Sequence, residues 1–182
     1  MSASTQRTDG LETLQAIAFD VDGVLTDGGI LWGPNGEEWK RFSFTDIMGI
    51  SLARRIGLKM ALISGEDSPL VDRYAKKMHI QHVAKGVRDK AAALREFAAA
   101  TNIHLANICF FGDDINDLSA MEIAGLCACP ANAAQAVLDH VRRHGFVSKH
   151  PSGQGAVREF IDTLLKARNL DPKEVFQLRP PE

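Results

Sequence analysis

Short apolar runs that end abruptly in polar residues recur along the chain. They occupy residues 16–19, 60–63 and 108–111, and shorter ones lie near residues 126–128 and 146–147. Runs of this length are typical of strands buried inside a parallel sheet. Such a sheet places the residues that follow its strands along one edge, where open α/β proteins bind their ligands.

Helical signals alternate with these runs. Ser68 followed by Pro69 is typical of a helix N-cap with proline at the first helical position, and this helix is expected to reach about residue 78. Apolar residues at helical spacing predict the remaining helices, which begin near Thr45 or Asp46 and cover residues 87–100 and 155–167. The alternation predicts an α/β fold, a doubly wound parallel sheet with helices on both faces.

A dense turn signal, Gly33-Pro34-Asn35-Gly36, separates two short stretches that carry Trp32 and Trp39. It predicts a β-hairpin over about residues 28–43, inserted between the first strand and the first helix. We expect one domain over residues 14–168, preceded by a flexible tail at 1–13 and followed by a C-terminal tail at 169–182.

Composition narrows the class of protein. The chain has 182 residues, 45% hydrophobic and 24% charged, which is ordinary for a globular domain. A net charge of −2 argues against nucleic acid as a partner, and no apolar stretch approaches the length of a membrane span. Cys109, Cys127 and Cys129 lie in apolar runs and provide no disulfide framework, which favours reduced thiols and a cytoplasmic location.

Residues that could bind or react with a ligand follow the apolar runs. Asp20 and Asp22 come directly after the first run, and their spacing sends both side chains to the same side of a strand. The polar residues after the second and third runs complete the set: Ser64, Gly65, Asp113, Asp114 and Asp117, with Lys90 between them in sequence. Mg²⁺ binds carboxylate and phosphate oxygens, so these residues are suited to a magnesium ion and a phosphate group.

The order of the motifs DVDGVLTDG, ISG, a lysine and GDDIND resembles the haloacid dehalogenase superfamily of phosphotransferases. The hairpin stretch DGGILWGPNGEEWKRFSFTD and the late SGQGAVREF fit one branch, the capless sugar-acid phosphatases related to 3-deoxy-D-manno-octulosonate 8-phosphate phosphatase. The resemblance covers roughly residues 14–168. It implies a Rossmann-like domain with no cap domain, because only about forty residues separate the first two motifs.

The resemblance also implies a mechanism, hydrolysis of a phosphate monoester through an aspartyl-phosphate. The residue matching Asp20 is the nucleophile and a Mg²⁺ ligand. The residue matching Asp22 is the general acid and base, and its backbone carbonyl binds the metal. The remaining roles fall to Asp113 as a second metal carboxylate, to Ser64, Gly65 and Lys90 as phosphate-binding groups, and to Asp114, Asn116 and Asp117 as residues that hold the others in place.

The resemblance leaves the choice of substrate open between two sugar acids. Octulosonate phosphatases usually carry an arginine directly after ISG, whereas this chain has Glu66, with Lys77 eleven residues later. That pair resembles 2-keto-3-deoxy-nononate 9-phosphate phosphatases and the phosphatase-like domain of some sialic-acid-activating enzymes. We expect the octulosonate 8-phosphate first and the nononate (or sialic acid) 9-phosphate as the alternative. Candidate substrate residues are Thr26, Asp27, Glu66, Arg73, Lys77, Gly153, Gly155 and Arg158.

Two further expectations follow from the resemblance. In the related phosphatases the hairpin pairs with its copies in a tetramer and neighbouring subunits help to cover each active site, which implies a homotetramer. A catalytically inactive structural relative is a remoter alternative, because both Asp20 and Asp22 are retained.

Overall fold

The structure is a computed structural model that describes residues 10–180. Its strands are β1 (Ala16–Phe19), β2 (Leu31–Trp32), β3 (Glu38–Trp39), β4 (Lys59–Ile63), β5 (His82–Ala84), β6 (Ile108–Phe111), β7 (Leu126–Cys129) and β8 (Gly145–Val147). Its α-helices are α1 (Phe44–Arg55), α2 (Pro69–Met78), α3 (Lys90–Thr101), α4 (Leu118–Met121), α5 (Gln135–His144), α6 (Ala156–Ala167) and α7 (Pro172–Gln177).

Six strands form one parallel sheet in the order β5-β4-β1-β6-β7-β8. All four residues of β1 are buried, and this strand pairs with β4 on one side and β6 on the other. The chain therefore winds outward from β1 to β5 and then returns to the opposite side of β1. This reversal creates a switch point at the carboxyl end of β1, the usual place for a ligand crevice.

The two faces of the sheet carry separate hydrophobic cores. On one face, Ile50 of α1 and Phe160 of α6 belong to a cluster that also includes residues of α2 and α7. The Phe160 ring meets Phe111 of β6 edge to face, with centroids 5.8 Å apart. On the other face, Leu94 of α3 and Val137 of α5 pack with residues of α4. The predicted doubly wound architecture, with helices on both faces, is confirmed.

The predicted hairpin is also present. Leu31 of β2 pairs with Trp39 of β3 in antiparallel register, and a bridge between Thr26 and Phe42 closes its base. The side chain of Trp32 is 77% exposed. Between β1 and β4 the structure contains this hairpin and α1 and no further element, in agreement with a capless fold.

Two helix starts differ from the sequence-based expectation. The predicted cap of α1 by Thr45 or Asp46 is wrong, since Ser43 is the N-cap and its hydroxyl accepts the Asp46 N–H. Asp46 is instead buried, and its carboxylate accepts the N–H groups of Gly155 and Arg158 at the start of α6. The third helix begins at Lys90 rather than residue 87, because Asp89 caps it.

Several elements carried no clear sequence signal, among them β5, α5 and α7. The last of these lies in the stretch assigned to a C-terminal tail, and its Val175 is buried. Leu11 is likewise fully buried. The division into tails and a domain stays a prediction, and residues 1–9 and 181–182 lie outside the described part of the chain. Within residues 10–180 no helix is long and apolar enough to cross a membrane.

Candidate active site

Three chain segments bring charged side chains together at the carboxyl edge of the sheet. Asp20 follows β1 and is 5% exposed, and its N–H donates to the Phe111 carbonyl of β6. The ammonium group of Lys90, at the start of α3, lies 2.7 Å from Asp20 Oδ1 and 2.6 Å from Asp117 Oδ1. The Lys90 side chain is only 1% exposed. The sequence predicted this convergence, and the two carboxylates offset the cost of burying the lysine.

Asp117 uses both of its carboxylate oxygens inside the protein. While Oδ1 accepts from Lys90, Oδ2 accepts the backbone N–H groups of Asp113 and Asp114 at 2.8 and 3.1 Å. Asp114 in turn completes a capping box with Asp117. Because its oxygens are engaged, Asp117 is suited to fixing the shape of the loop after β6 rather than to binding a ligand directly.

The acidic cluster has more negative charge than its single lysine balances. Carboxylate oxygens of Asp20, Asp113 and Asp117 lie within 4.8 Å of one another. Burial raises the pKa of Asp113 to about 8, and the nearby charges of Asp20 and Asp117 add to the effect. Burial also raises the pKa of Asp20 to about 6, against the opposing influence of Lys90. A divalent cation would relieve this repulsion, and the oxygen donors of Asp20 and Asp113 fit Mg²⁺.

Gly23 allows the loop after β1 to approach the loop after β6. Its φ is +86°, and a Cβ atom at this position would lie 2.1 Å from Asp113 Oδ2. The Thr26 hydroxyl accepts the N–H groups of Gly23 and Gly28, both at 3.2 Å, and so closes the loop on itself. Contact of Thr26 with a sugar stays a prediction, and its complete burial counts against it.

The predicted phosphate-binding groups lie beside this cluster. Ser64 follows β4, is 1% exposed, and accepts the Glu66 N–H on its hydroxyl at 3.1 Å. Gly65 is exposed, and a Cβ atom there would lie 3.6 Å from Asn116 Nδ2. The ISG and GDDIND loops are therefore neighbours, as the shared sheet edge predicts.

Asp22 contacts a residue that the sequence did not single out. Its Oδ2 atom accepts a hydrogen bond of 2.9 Å from Lys40, which follows β3 in the hairpin. The ammonium group of Lys40 also lies 3.3 Å from Glu38 Oε1. In the sequence, Lys40 stands out only as a lysine near the end of the predicted hairpin. Two residues 18 positions apart leave no periodic pattern that would pair them.

The late glycine-rich segment approaches the site only in part. Gly153 packs against the loop after β1, where a Cβ atom would lie 2.7 Å from the Asp27 nitrogen. The N–H of Gly155 is engaged by Asp46. The Arg158 guanidinium binds Asp162 on the same helix, through Nε at 2.8 and 2.9 Å. Substrate contact by Gly155 and Arg158 stays a prediction that these interactions do not favour.

The other substrate candidates lie around the hairpin and α2. Asp27 Oδ2 accepts from Arg41 Nε at 2.8 Å. Lys77 Nζ lies 5.7 Å from the centroid of the exposed Phe44 ring. Glu66 and Arg73 are exposed. Glu66 and Lys77 form no ion pair with each other among the described residues, so any joint role depends on a ligand or a second subunit.

Comparison with known proteins agrees with this geometry. Residues 68–161 match the family model of haloacid dehalogenase-like hydrolases, and the chain belongs to this family. Among curated relatives, 3-deoxy-D-manno-octulosonate 8-phosphate phosphatase KdsC of Escherichia coli K12 is 35% identical over 157 residues, which cover 86% of this chain and 82% of the relative. KdsC of Salmonella typhi is 34% identical, with 91% and 86% covered.

Solved structures show the same likeness. One is 3-deoxy-D-manno-octulosonate 8-phosphate phosphatase from Moraxella catarrhalis, in complex with magnesium, phosphate and KDO. It is 34% identical, with a TM-score of 0.83, and the match covers 88% of this chain and 90% of that one. The cobalt-bound enzyme from Haemophilus influenzae is 31% identical with a TM-score of 0.82, over 87% and 88%. The family resemblance of the motifs is therefore confirmed.

The close approach at Gly23 leads to a prediction about cation binding. Gly23→Ala should weaken the affinity for Mg²⁺ by about tenfold or more, since the new methyl group would displace Asp113. Isothermal titration calorimetry would measure this affinity. Gly36→Ala is the matched control, because Gly36 has the same φ of +86° but open space around it. It should lose some stability and bind Mg²⁺ normally. Equal cation affinity in the two variants would contradict the prediction.

Proposed function

We propose that this chain is a Mg²⁺-dependent phosphatase that hydrolyses 3-deoxy-D-manno-octulosonate 8-phosphate through an aspartyl-phosphate on Asp20. The observation that carries the proposal is the buried Lys90 between Asp20 and Asp117, beside Asp113, at the sheet switch point. This arrangement supports phosphoryl transfer. The similarity to 3-deoxy-D-manno-octulosonate 8-phosphate phosphatases supports the choice of substrate. The chain is accordingly a phosphoric monoester hydrolase.

Asp20 acts as the nucleophile in this proposal. Lys90 holds its Oδ1 atom at 2.7 Å, which leaves the other oxygen to attack phosphorus. Mg²⁺, held by Asp20 and Asp113, would screen the repulsion between carboxylate and phosphate. The strand that precedes Asp20 is fully buried, so the nucleophile starts from a rigid backbone.

Lys90, Ser64 and the Gly65 N–H would bind the transferring phosphoryl group. An ammonium group has three protons, and Lys90 uses two of them on Asp20 and Asp117, which leaves one for a phosphoryl oxygen. Groups already held in place cost little reorganisation as charge develops in the transition state.

Asp22 would exchange a proton with the sugar oxygen in this proposal. Its side chain is 30% exposed, compared with 8% for Asp20, so it faces the open side of the site. It would protonate the leaving oxygen and then take a proton from the water that attacks the phospho-enzyme.

The nucleophile assignment predicts a specific loss of activity. Asp20→Asn should abolish phosphate release while the protein stays folded, because it removes the attacking oxygen anion. Asp139→Asn, a carboxylate change on the exposed surface of α5, is the control and should keep the wild-type rate. Phosphate release by purified protein and urea unfolding would be measured. A near wild-type rate for Asp20→Asn would refute the assignment.

The choice between sugar acids depends on charge near the ISG loop. Glu66 cannot pair directly with a substrate carboxylate, so Arg73, Lys77 or a neighbouring subunit would have to supply the cation. The relatives favour the octulosonate, and Glu66 is the feature that keeps the nononate 9-phosphate as the second candidate.

A variant at this position tests which substrate the chain selects. Glu66→Arg should raise kcat/KM for the eight-carbon substrate relative to kcat/KM for the nine-carbon substrate. The ratio should change by about tenfold or more if one polar contact with the substrate is gained or lost. Glu96→Arg, with the same change of charge on the exposed surface of α3, should leave the ratio unchanged. Rates on both phosphates would be compared for each protein. An unaltered ratio in Glu66→Arg would show that Glu66 does not read the sugar acid.

We further propose a homotetramer assembled through the hairpin. The exposed fractions of Leu31, Trp32, Trp39 and Phe44 are 70, 77, 52 and 78%, which is unusual for large apolar side chains close together in sequence. A cytoplasmic location is proposed as well. It is supported by Cys109, Cys127 and Cys129, which are buried free thiols.

Assembly through the hairpin predicts a change of mass on mutation. Trp32→Lys should shift the protein from tetramer to smaller species at micromolar concentration, because it places a charge inside the proposed contact. Phe176→Lys, at another exposed aromatic residue, should remain tetrameric. Sedimentation velocity would distinguish the species. A wild-type monomer with full activity would argue against the tetramer.

A further inference from the structure

The hairpin reaches into the active site of its own subunit through Lys40. This side chain is only 4% exposed, although Leu31, Trp32 and Trp39 of the hairpin strands are exposed. A buried ammonium group needs compensating partners, and Lys40 has two of them. They are Asp22 Oδ2 at 2.9 Å and Glu38 Oε1 at 3.3 Å.

Glu38 is itself fixed from a third direction. Its Oε1 atom accepts a hydrogen bond of 2.9 Å from the Ser68 hydroxyl. Ser68 is 5% exposed and also caps α2, because its hydroxyl accepts the Leu70 N–H. A continuous path of polar contacts therefore runs from the start of α2 through Glu38 and Lys40 to Asp22.

This path constrains one oxygen of Asp22 and leaves the other available. A carboxylate with no fixed partner rotates about its side-chain bonds, and fixing it in advance lowers the entropy lost on reaction. Lys40 uses two of its three ammonium protons on the carboxylates of Asp22 and Glu38. A contact between the third proton and the substrate would appear as a rise in KM, which distinguishes it from positioning of Asp22.

We propose that Lys40 is a positioning residue for Asp22, held by Glu38 and Ser68, and that the hairpin thereby orients proton transfer to the leaving sugar oxygen within its own subunit. The proposal rests on the phosphatase function proposed above. It gives the hairpin a second task that is independent of subunit assembly.

The test compares two leaving groups. Lys40→Met removes the ammonium group and keeps an unbranched stem. On the sugar-acid phosphate its kcat/KM should fall about tenfold or more, a part of the roughly 10²–10⁴-fold that general acid–base catalysis supplies. On 4-nitrophenyl phosphate, whose leaving group needs no proton, kcat/KM reports only phospho-enzyme formation and should stay within about threefold of wild type.

Lys85→Met is the matched control. Lys85 also bridges two carboxylates, Asp67 at 2.9 Å and Asp72 at 2.7 Å, but it lies outside the proposed reacting groups. Its rates should fall on neither substrate. Glu38→Gln should reproduce the selective pattern of Lys40→Met with a smaller loss, and it provides the same comparison if Lys40→Met does not fold.

Three outcomes would overturn the proposal. An equal fall on both substrates would mean that Lys40 supports the fold or the phosphoryl step. A rise in KM for the sugar acid with unchanged kcat would mean that Lys40 binds the substrate. Unchanged rates on both substrates would mean that Lys40 does not contribute to the reaction. In all three cases wild-type turnover of the sugar-acid phosphate would still stand, so the failure of this proposal is distinct from that of the proposed function.

Discussion

The buried ammonium group of Lys90, shared by Asp20 and Asp117, is the interaction on which the rest of the site depends. Removing a lysine from water costs several kcal/mol, and this cost is offset only while both carboxylates stay within hydrogen-bond distance. Such a group contributes little net stability, but it demands one arrangement of three chain segments. The first segment follows β1, the second begins α3 and the third follows β6. The parallel sheet, in which β1 lies next to β6, brings them to one edge.

A second lysine repeats this arrangement at the other aspartate of the first motif. Lys90 contacts Asp20, the proposed nucleophile, and Lys40 contacts Asp22. The two pairs differ in exposure, because the Asp20 carboxylate is 8% exposed and that of Asp22 is 30% exposed. This difference suits a buried nucleophile and a more accessible proton carrier. The hairpin inserted after β1 thus brings a lysine, just past its second strand, into contact with Asp22.

Much of this could be predicted because local signals agreed with the global fold. The three fully apolar runs became β1, β4 and β6, and the residues after them met at one edge. Contacts between distant residues left no such signal. Lys40 and Asp22 are 18 positions apart, and Asp46 binds Gly155 from 109 positions away. The strand β5 was missed because it has three residues, none of them fully buried, and they form no apolar run. Arg158 was expected near the substrate, but its guanidinium pairs with Asp162, four positions later on α6.

The most direct test of the account is chemical trapping of the phospho-enzyme. Wild-type protein would be mixed with the sugar-acid phosphate and Mg²⁺, quenched in acid within the first turnover, reduced with borohydride and analysed by peptide mass spectrometry. Borohydride converts a phosphorylated aspartate to homoserine, so the account predicts this conversion at position 20 and nowhere else. Conversion at another aspartate would contradict a mechanism built on Asp20. So would phosphate release within the first turnover with no converted aspartate at all.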